Sequence, residues 1–249
     1  MTDSLGWRMK FGVVAPSTNT SVQPEYDDLR PRGVTNHFSR IMIPDNPVRS
    51  DAEFLALMHN IRGATEQAID AVMTCAPGYV IMGMSAETFW DGAEGAEQLH
   101  RRMEQRAGVG VGLGSHAVLE ALRRYGSGIR RIAVITPYMP VGDGMVQRFF
   151  EDNGYRIMAL KGLKCASPML IAHESPATLQ RAIREVDGPE VEAIVQVGTN
   201  LACAAVAALA ERWLGKPVIA INTATYWYAL RQNGIFDRIE GYGSLLAEH

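Results

Sequence analysis

Several things that would mark a specialised protein are scarce or missing from this sequence. Only three cysteines occur in 249 residues, Cys75, Cys165 and Cys203, and none falls in a Cys-x-x-Cys or Cys/His spacing. A disulfide framework and a structural zinc site are thereby excluded. No run of eighteen apolar residues exists, so no segment reads as a membrane span, and the opening MTDSLGWRMK has no apolar signal core. There is no basic run and no acidic tail, and a net charge of -3 leaves no footprint for nucleic acid. No Gly-x-Gly-x-x-Gly and no Walker lysine follow the first apolar run, which disfavours a nucleotide. The expectation is a cytoplasmic protein that uses no metal and no cofactor and engages neither membrane nor nucleic acid.

With 47% hydrophobic and 20% charged residues, the composition is that of an ordinary globular protein, long enough for one large domain or two small lobes. Short apolar runs predict strands at Lys10–Ala15, Thr35–Ile43, Tyr79–Gly83, Val109–Gly112, Ile132–Thr136, Arg156–Lys161, Ala193–Gly198 and Pro217–Ile221. Helical patterns lie between most of them. In Glu53–Val72, Phe54, Leu57, Met58, Ile61, Thr65, Ala68, Ile69 and Val72 recur at helical spacing. Ser115 reads as the N-cap of a helix ending near Tyr125 and closed by Gly126. This alternation predicts an α/β fold with mostly parallel sheet flanked by helices.

The order of landmarks also recurs. FGVVAPSTNT is echoed by IAVITPYMPV, YVIMGMSAET by AIVQVGTNLA, and GSHAVLEALRRYG by NTATYWYALRQNG. The sequence therefore predicts two pseudo-symmetric α/β lobes, residues 1–126 and 127–221, with 222–249 packing back on the first. Ligands of open α/β sheets bind beyond the carboxyl ends of the strands, and lobe interfaces favour pockets. A cleft between the lobes would collect four loops: Pro16–Thr20, Gly83–Thr88, Pro137–Val141 and Gly198–Leu201. They carry Ser17, Thr18, Asn19, Thr20, Ser85, Tyr138, Thr199 and Asn200, each where strand gives way to helix. Such residues are ordinary N-caps. Four such loops in matched positions of a repeat point further, to an anion held by hydroxyls, amides and backbone N–H groups.

These loops resemble those of the Asp/Glu racemase superfamily, in particular maleate cis-trans isomerases and arylmalonate decarboxylases. VVAPSTNTSVQPE, with Asn19 and Glu25, is similar to the isomerase pattern Pro-Ser-x-Asn-Thr followed by Glu; HFSRIMI, ITPYM, IAHESP and GYGSLL follow in order. The resemblance implies an active site between two lobes, no cofactor, and a small carboxylate substrate. It implies that Asn19 holds a substrate carboxylate and that Tyr138 hydrogen-bonds substrate. It places Pro16, Ser17, Ser85, Thr199 and Asn200 at substrate-contacting positions, and Met84 where the decarboxylases have a hydroxyl residue. Tyr138 and Ser85 are the expected catalytic residues.

The sequence departs from the family where chemistry is concentrated. The family's paired thiols, one at the end of the third strand of each lobe, fall on Gly83 and Gly198; a one-residue shift would put Met84 at the first. Of the cysteines present, Cys75 precedes the third strand. Cys203, among Ala202, Ala204 and Ala205, reads as helix packing, although a thiol near a helix N-terminus is open to activation. Cys165 lies before IAHESP and is open to either role. His116, His173, Glu174 and Glu87 are weaker acid–base candidates, and Phe89 and Trp90 read as core or pocket wall. Three activities fit: a lyase working through an enolate-like state held in the hydrogen-bonding cage, a maleate isomerase-like activity with a relocated cysteine, or carboxylate binding without catalysis. The alanine-rich run Leu201–Trp213 is compatible with a homodimer or higher homo-oligomer.

Overall fold

The computed structural model describes residues 3–249; residues 1 and 2 of the first expected lobe lie outside the described residues. In chain order the first half contains β1 (Met9–Pro16), α1 (Val22–Asp28), β2 (Val34–Ile41), α2 (Asp51–Met73), β3 (Tyr79–Met82), a 3-10 turn (Ala86–Phe89), α3 (Gly92–Ala107), β4 (Val111–Gly112) and α4 (Gly114–Tyr125). The second contains β5 (Arg131–Thr136), α5 (Pro140–Asp152), β6 (Arg156–Gly162), a 3-10 turn (Leu170–His173), α6 (Pro176–Val186), β7 (Ala193–Gln196), α7 (Ala204–Leu214) and β8 (Val218–Ala220). Helices α8 (Ile221–Gln232) and α9 (Ser244–Glu248) complete the chain.

The strands form two parallel four-stranded sheets of the same order, β2-β1-β3-β4 and β6-β5-β7-β8. The internal echo in the sequence is therefore an echo in topology. Strands β1, β3, β5 and β7 are central in their sheets and covered on both faces. This is why they read as unbroken apolar runs rather than alternating ones. In each sheet the first and third strands pair directly, Val14 opposite Met82 and Ile135 opposite Gln196. The chain reverses its winding at that pair, and the crevice beyond its carboxyl end is where such folds bind ligands.

Helix α2 starts from Ser50, whose hydroxyl accepts from the Glu53 N–H at 3.3 Å, while the Glu53 carboxylate accepts from Arg49 N–H at 2.6 Å. The first satisfies an N–H that a helix start would leave open, and the second ties the residue before the cap to the first turn. Helix α4 corrects one expectation: its cap position is Leu113, and Ser115 lies in the first turn, fully buried. Leu113 fills core space directly after β4, so the chain enters the helix without room for a polar cap. Helix α8 packs on the first lobe. Tyr226 meets Phe11 edge-on at 5.7 Å between ring centroids and donates to Asn36 Oδ1 at 3.0 Å. Ile221 and Thr225 sit where a side chain on Gly114 would be, a Cβ there falling 2.9 Å from Ile221 Cδ1. Glycine is what lets α4 and α8 approach this closely.

Candidate active site

The loops following β1, β3, β5 and β7 meet at one cleft. Pro16, Thr18 and Asn19 come from the first loop, Met84, Ser85 and Ala86 from the second, Pro137, Tyr138 and Met139 from the third, and Gly198, Thr199 and Asn200 from the fourth. Two further segments close the cleft. Ile43, Val48, Phe54, Leu57, Met58 and Ile61 form an apolar roof from the β2–α2 connection and α2. Cys165, Ser167, Pro168 and Ile171 form a further wall.

Hydrogen bonds between the lobes make the floor. Asn19 Nδ2 donates to Thr199 Oγ1 at 3.2 Å, and that hydroxyl donates to the Gly83 carbonyl at 3.1 Å. The Thr199 N–H donates to Ser85 Oγ at 3.1 Å, and Ser85 Oγ lies 2.7 Å from Tyr138 Oη. The last pair contains two hydroxyl hydrogens and one hydrogen bond. Whichever oxygen donates, one hydrogen is left over for a ligand. Asn19 likewise keeps one amide N–H, since its Oδ1 accepts from Ser21 and Val22 N–H and one Nδ2 hydrogen goes to Thr199. Burial, opposed by the Ser85 hydrogen bond, raises the Tyr138 phenol, so it stays protonated at neutral pH.

Tyr138 is placed by the turn after β5. Its N–H donates to Thr136 Oγ1 at 3.1 Å, and Thr136 donates in turn to Asp143 in the first turn of α5. Asn200 ties the lobes together: its Oδ1 accepts from Thr20 N–H at 2.9 Å and its Nδ2 donates to the Pro168 carbonyl at 2.9 Å. Behind Thr199, Asn222 Nδ2 donates to the Thr199 carbonyl at 2.9 Å and to Glu25 Oε2 at 2.6 Å. Glu25 Oε1 accepts the Ala204 N–H at the start of α7 at 3.0 Å.

Of the residues singled out in the sequence, Pro16, Asn19, Met84, Ser85, Tyr138, Gly198, Thr199 and Asn200 line the cleft. Ser17 is turned away. Its hydroxyl donates to the Ile43 carbonyl and accepts from Ile43 N–H, both at 3.1 Å, fixing the loop to the end of β2. The side-chain direction at Gly83 is toward the core, where a Cβ would lie 3.1 Å from both Ala15 Cβ and Val22 Cγ1, and Met84 faces the cleft in its place. Gly198 has φ +113, and a Cβ there would lie 2.5 Å from Pro137 Cδ.

The other acid–base candidates lie elsewhere. Glu87 is buried between Arg62 and Arg102, at 3.8 and 3.4 Å, in a separate crevice, and burial raises its carboxyl. His116 packs on His100 and pairs with Glu97 at 3.3 Å. His173 is exposed. Phe89 is core against Phe149, while Trp90 packs on Phe54, a roof residue whose ring lies 5.6 Å from that of Tyr138. Cys203 sits at the cap position of α7, buried in the second lobe's core, with its thiol pushed up by burial and by the Glu25 charge. Cys165 is the cysteine that reaches the cleft.

Among the described residues lining the cleft, none carries an Asp, Glu, Lys, Arg or His side chain. Groups of His, Cys, Asp and Glu that could hold a metal ion are also absent among the described residues. The arrangement offers neutral hydrogen-bond donors at the floor beneath an apolar roof.

The family model for arylmalonate decarboxylase matches residues 42–246, which takes in the roof, the second lobe and all but the first of the four loops. The chain belongs to the arylmalonate decarboxylase family. A maleate isomerase from Pseudomonas putida is 23% identical, covering 96% of this chain and 97% of that protein. Among solved structures, a Nocardia farcinica maleate cis-trans isomerase variant with a covalently bound succinylcysteine intermediate superposes with a TM-score of 0.86. It is 21% identical over 96% of this chain and 98% of that one. Arylmalonate decarboxylase itself superposes with a TM-score of 0.73 at 20% identity, over 96% of this chain and 100% of that one. The two-lobed architecture is thus the fold of the arylmalonate decarboxylase family and its isomerase relatives, and membership places the chain among isomerases and lyases. No helix among the described residues is long and apolar enough to cross a membrane.

The roof and the wall residues Ser167, Pro168 and Ile171 are not signalled by the sequence. Phe54, Leu57, Met58 and Ile61 recur at helical spacing whether they face a core or a cleft, and periodicity carries no signal that separates the two.

Proposed function

We propose that the protein is a cofactor-independent lyase that removes CO2 from a malonate-type acid bearing an apolar substituent. The observation that carries this reading is the polarity of the cleft: neutral donors from Asn19, Ser85 and Tyr138 on one side, and Ile43, Val48, Phe54, Leu57, Met58 and Ile61 on the other. One carboxylate would lie on the floor. The second, pressed against the roof with no cation beside it, would lose its hydration, a destabilisation relieved when it leaves as neutral CO2. The electron pair left behind spreads into the retained carboxylate, giving an enolate-like dianion. Donors already fixed on the floor are worth most against that growing charge, because they need no reorganisation. The apolar substituent would occupy the roof space.

A second reading has its own support. The similar proteins include maleate isomerases, one of them with a succinyl group on a cysteine. In this chain that chemistry would need Cys165, since the resemblance puts glycine at both family thiol positions. Simple carboxylate binding is the third. Incubation with alkyl- and arylmalonates and with maleate separates them, reading CO2 release and fumarate formation. CO2 from a substituted malonate with no fumarate is expected. Fumarate without CO2 would replace the lyase by the isomerase, and binding by calorimetry without turnover would leave only the binding protein.

A further inference from the structure

A decarboxylation that leaves an enolate-like carbon needs a proton donor, and the floor supplies hydrogen bonds rather than an acid aimed at carbon. Apart from serine and threonine hydroxyls, the described side chains lining the cleft that carry an ionisable proton are Tyr138 and Cys165. Tyr138 is engaged on the floor with Ser85. Cys165 belongs to the wall formed with Ser167, Pro168 and Ile171 and is 8% exposed. Its N–H donates to the Pro137 carbonyl at 3.0 Å, so it lies beside the turn that presents Tyr138. The residue before it, Lys164, has φ +53, a left-handed conformation that costs a non-glycine residue energy. That turn takes the chain off β6 and sets Cys165 into the wall. Its thiol donates to Glu174 Oε1 at 3.6 Å, just after the 3-10 turn Leu170–His173.

We propose that Cys165 is the acid that protonates the α-carbon, held in place by Glu174 as a positioning residue. This rests on the lyase reading above. As the bond from the α-carbon to the departing carboxylate breaks, CO2 leaves without that electron pair. The pair remains on the α-carbon, delocalised into the retained carboxylate. The S–H rotates from Glu174 toward that carbon, the pair forms a C–H bond with the Cys165 proton as the S–H bond breaks, and the thiolate regains a proton from water, its new S–H returning to Glu174. Burial, then the charge of Glu174, push the thiol up to about 12, so it holds its proton at neutral pH. A covalent addition would call for the thiolate instead.

The test uses a prochiral malonate with two different α-substituents, since the position of the donor then decides which enantiomer forms. Wild type is expected to give one enantiomer. Cys165→Ala and the near-isosteric Cys165→Ser should each release product at least about 100-fold more slowly, and what product forms should be racemic. Unfolding midpoints for both variants establish that they fold. Glu174→Gln should keep the product's configuration and shift the pH profile of kcat, which a merely structural role would leave unmoved. Either Cys165 variant yielding the wild-type enantiomer in wild-type excess overturns the proposal, whatever its rate. Wild type that releases no CO2 from any substituted malonate overturns the lyase reading together with it, so the two failures are distinguishable.

Discussion

Gly198 combines two constraints: a φ of +113, which side-chain-bearing residues rarely adopt, and Pro137 carbons 2.5 and 2.6 Å from where a Cβ would stand. Any side chain at this position would have to come with a different course of the loop. Gly198→Ala should destabilise the protein by about 2–3 kcal/mol, through backbone strain and overpacking. Gly83→Ala, meeting Ala15 and Val22 at 3.1 Å with no unusual φ, should cost about 1 kcal/mol. Urea unfolding of the two variants measures both. Equal, negligible losses would mean that the turn yields easily and that Pro137 does not hold it.

At the scale of elements, the β2–α2 connection works as a strap across the cleft. Val48 N–H donates to the Ala166 carbonyl at 2.7 Å, Met169 N–H to Asp45 Oδ1 at 2.9 Å, and Val141 N–H to Asp51 Oδ1 at 3.1 Å. Each bond joins the first lobe to the second over the roof. Losing one is worth about 1 kcal/mol of stability, so Asp45→Ala should lower the unfolding free energy by about that amount. Urea unfolding measures it, and an unchanged midpoint would mean that the other two bonds hold the strap without it. The central strands were legible from sequence because burial on both faces leaves continuous apolar runs ending at the right loops. Less legible was anything that depends on which way a residue turns. Ser17 belongs to a hydroxyl-rich loop but points to Ile43. Glu87 lies in a 3-10 turn that carries it to Arg62 and Arg102. Strand β4 is shorter than its apolar run, pairing only over Val111–Gly112. Loop composition indicates where a ligand binds; orientation is set by tertiary contacts that no local pattern encodes.

Across the whole molecule, the lobes are joined by a buried polar seam that contains the carboxyl of Glu25. From α1 it accepts from Ala204 N–H and from Asn222, with Asp28, Cys203 and Tyr242 facing it. Burial raises its carboxyl to about 7 against an ordinary value of 4.5. Between those values the folded protein holds a proton that the unfolded chain has lost, so stability falls as pH rises through that window and is fullest below it. Glu25→Gln cannot ionise. Wild type should therefore lose about 2 kcal/mol more than this variant between pH 5 and pH 8. Parallel pH dependence of the two unfolding free energies would show that Glu25 is ionised throughout.

The return of α8 to the first lobe has a consequence for biosynthesis. Tyr226, Trp227 and Leu230 are buried in contact with a lobe whose strands are all made within the first 112 residues. During translation the first lobe must wait, with the groove beside β1 and α4 uncovered, while the whole second lobe emerges. The half synthesised first is the half completed last. The nascent chain therefore exposes an apolar surface for over a hundred residues of elongation, a long interval in which chaperones can bind it and in which another chain can aggregate with it.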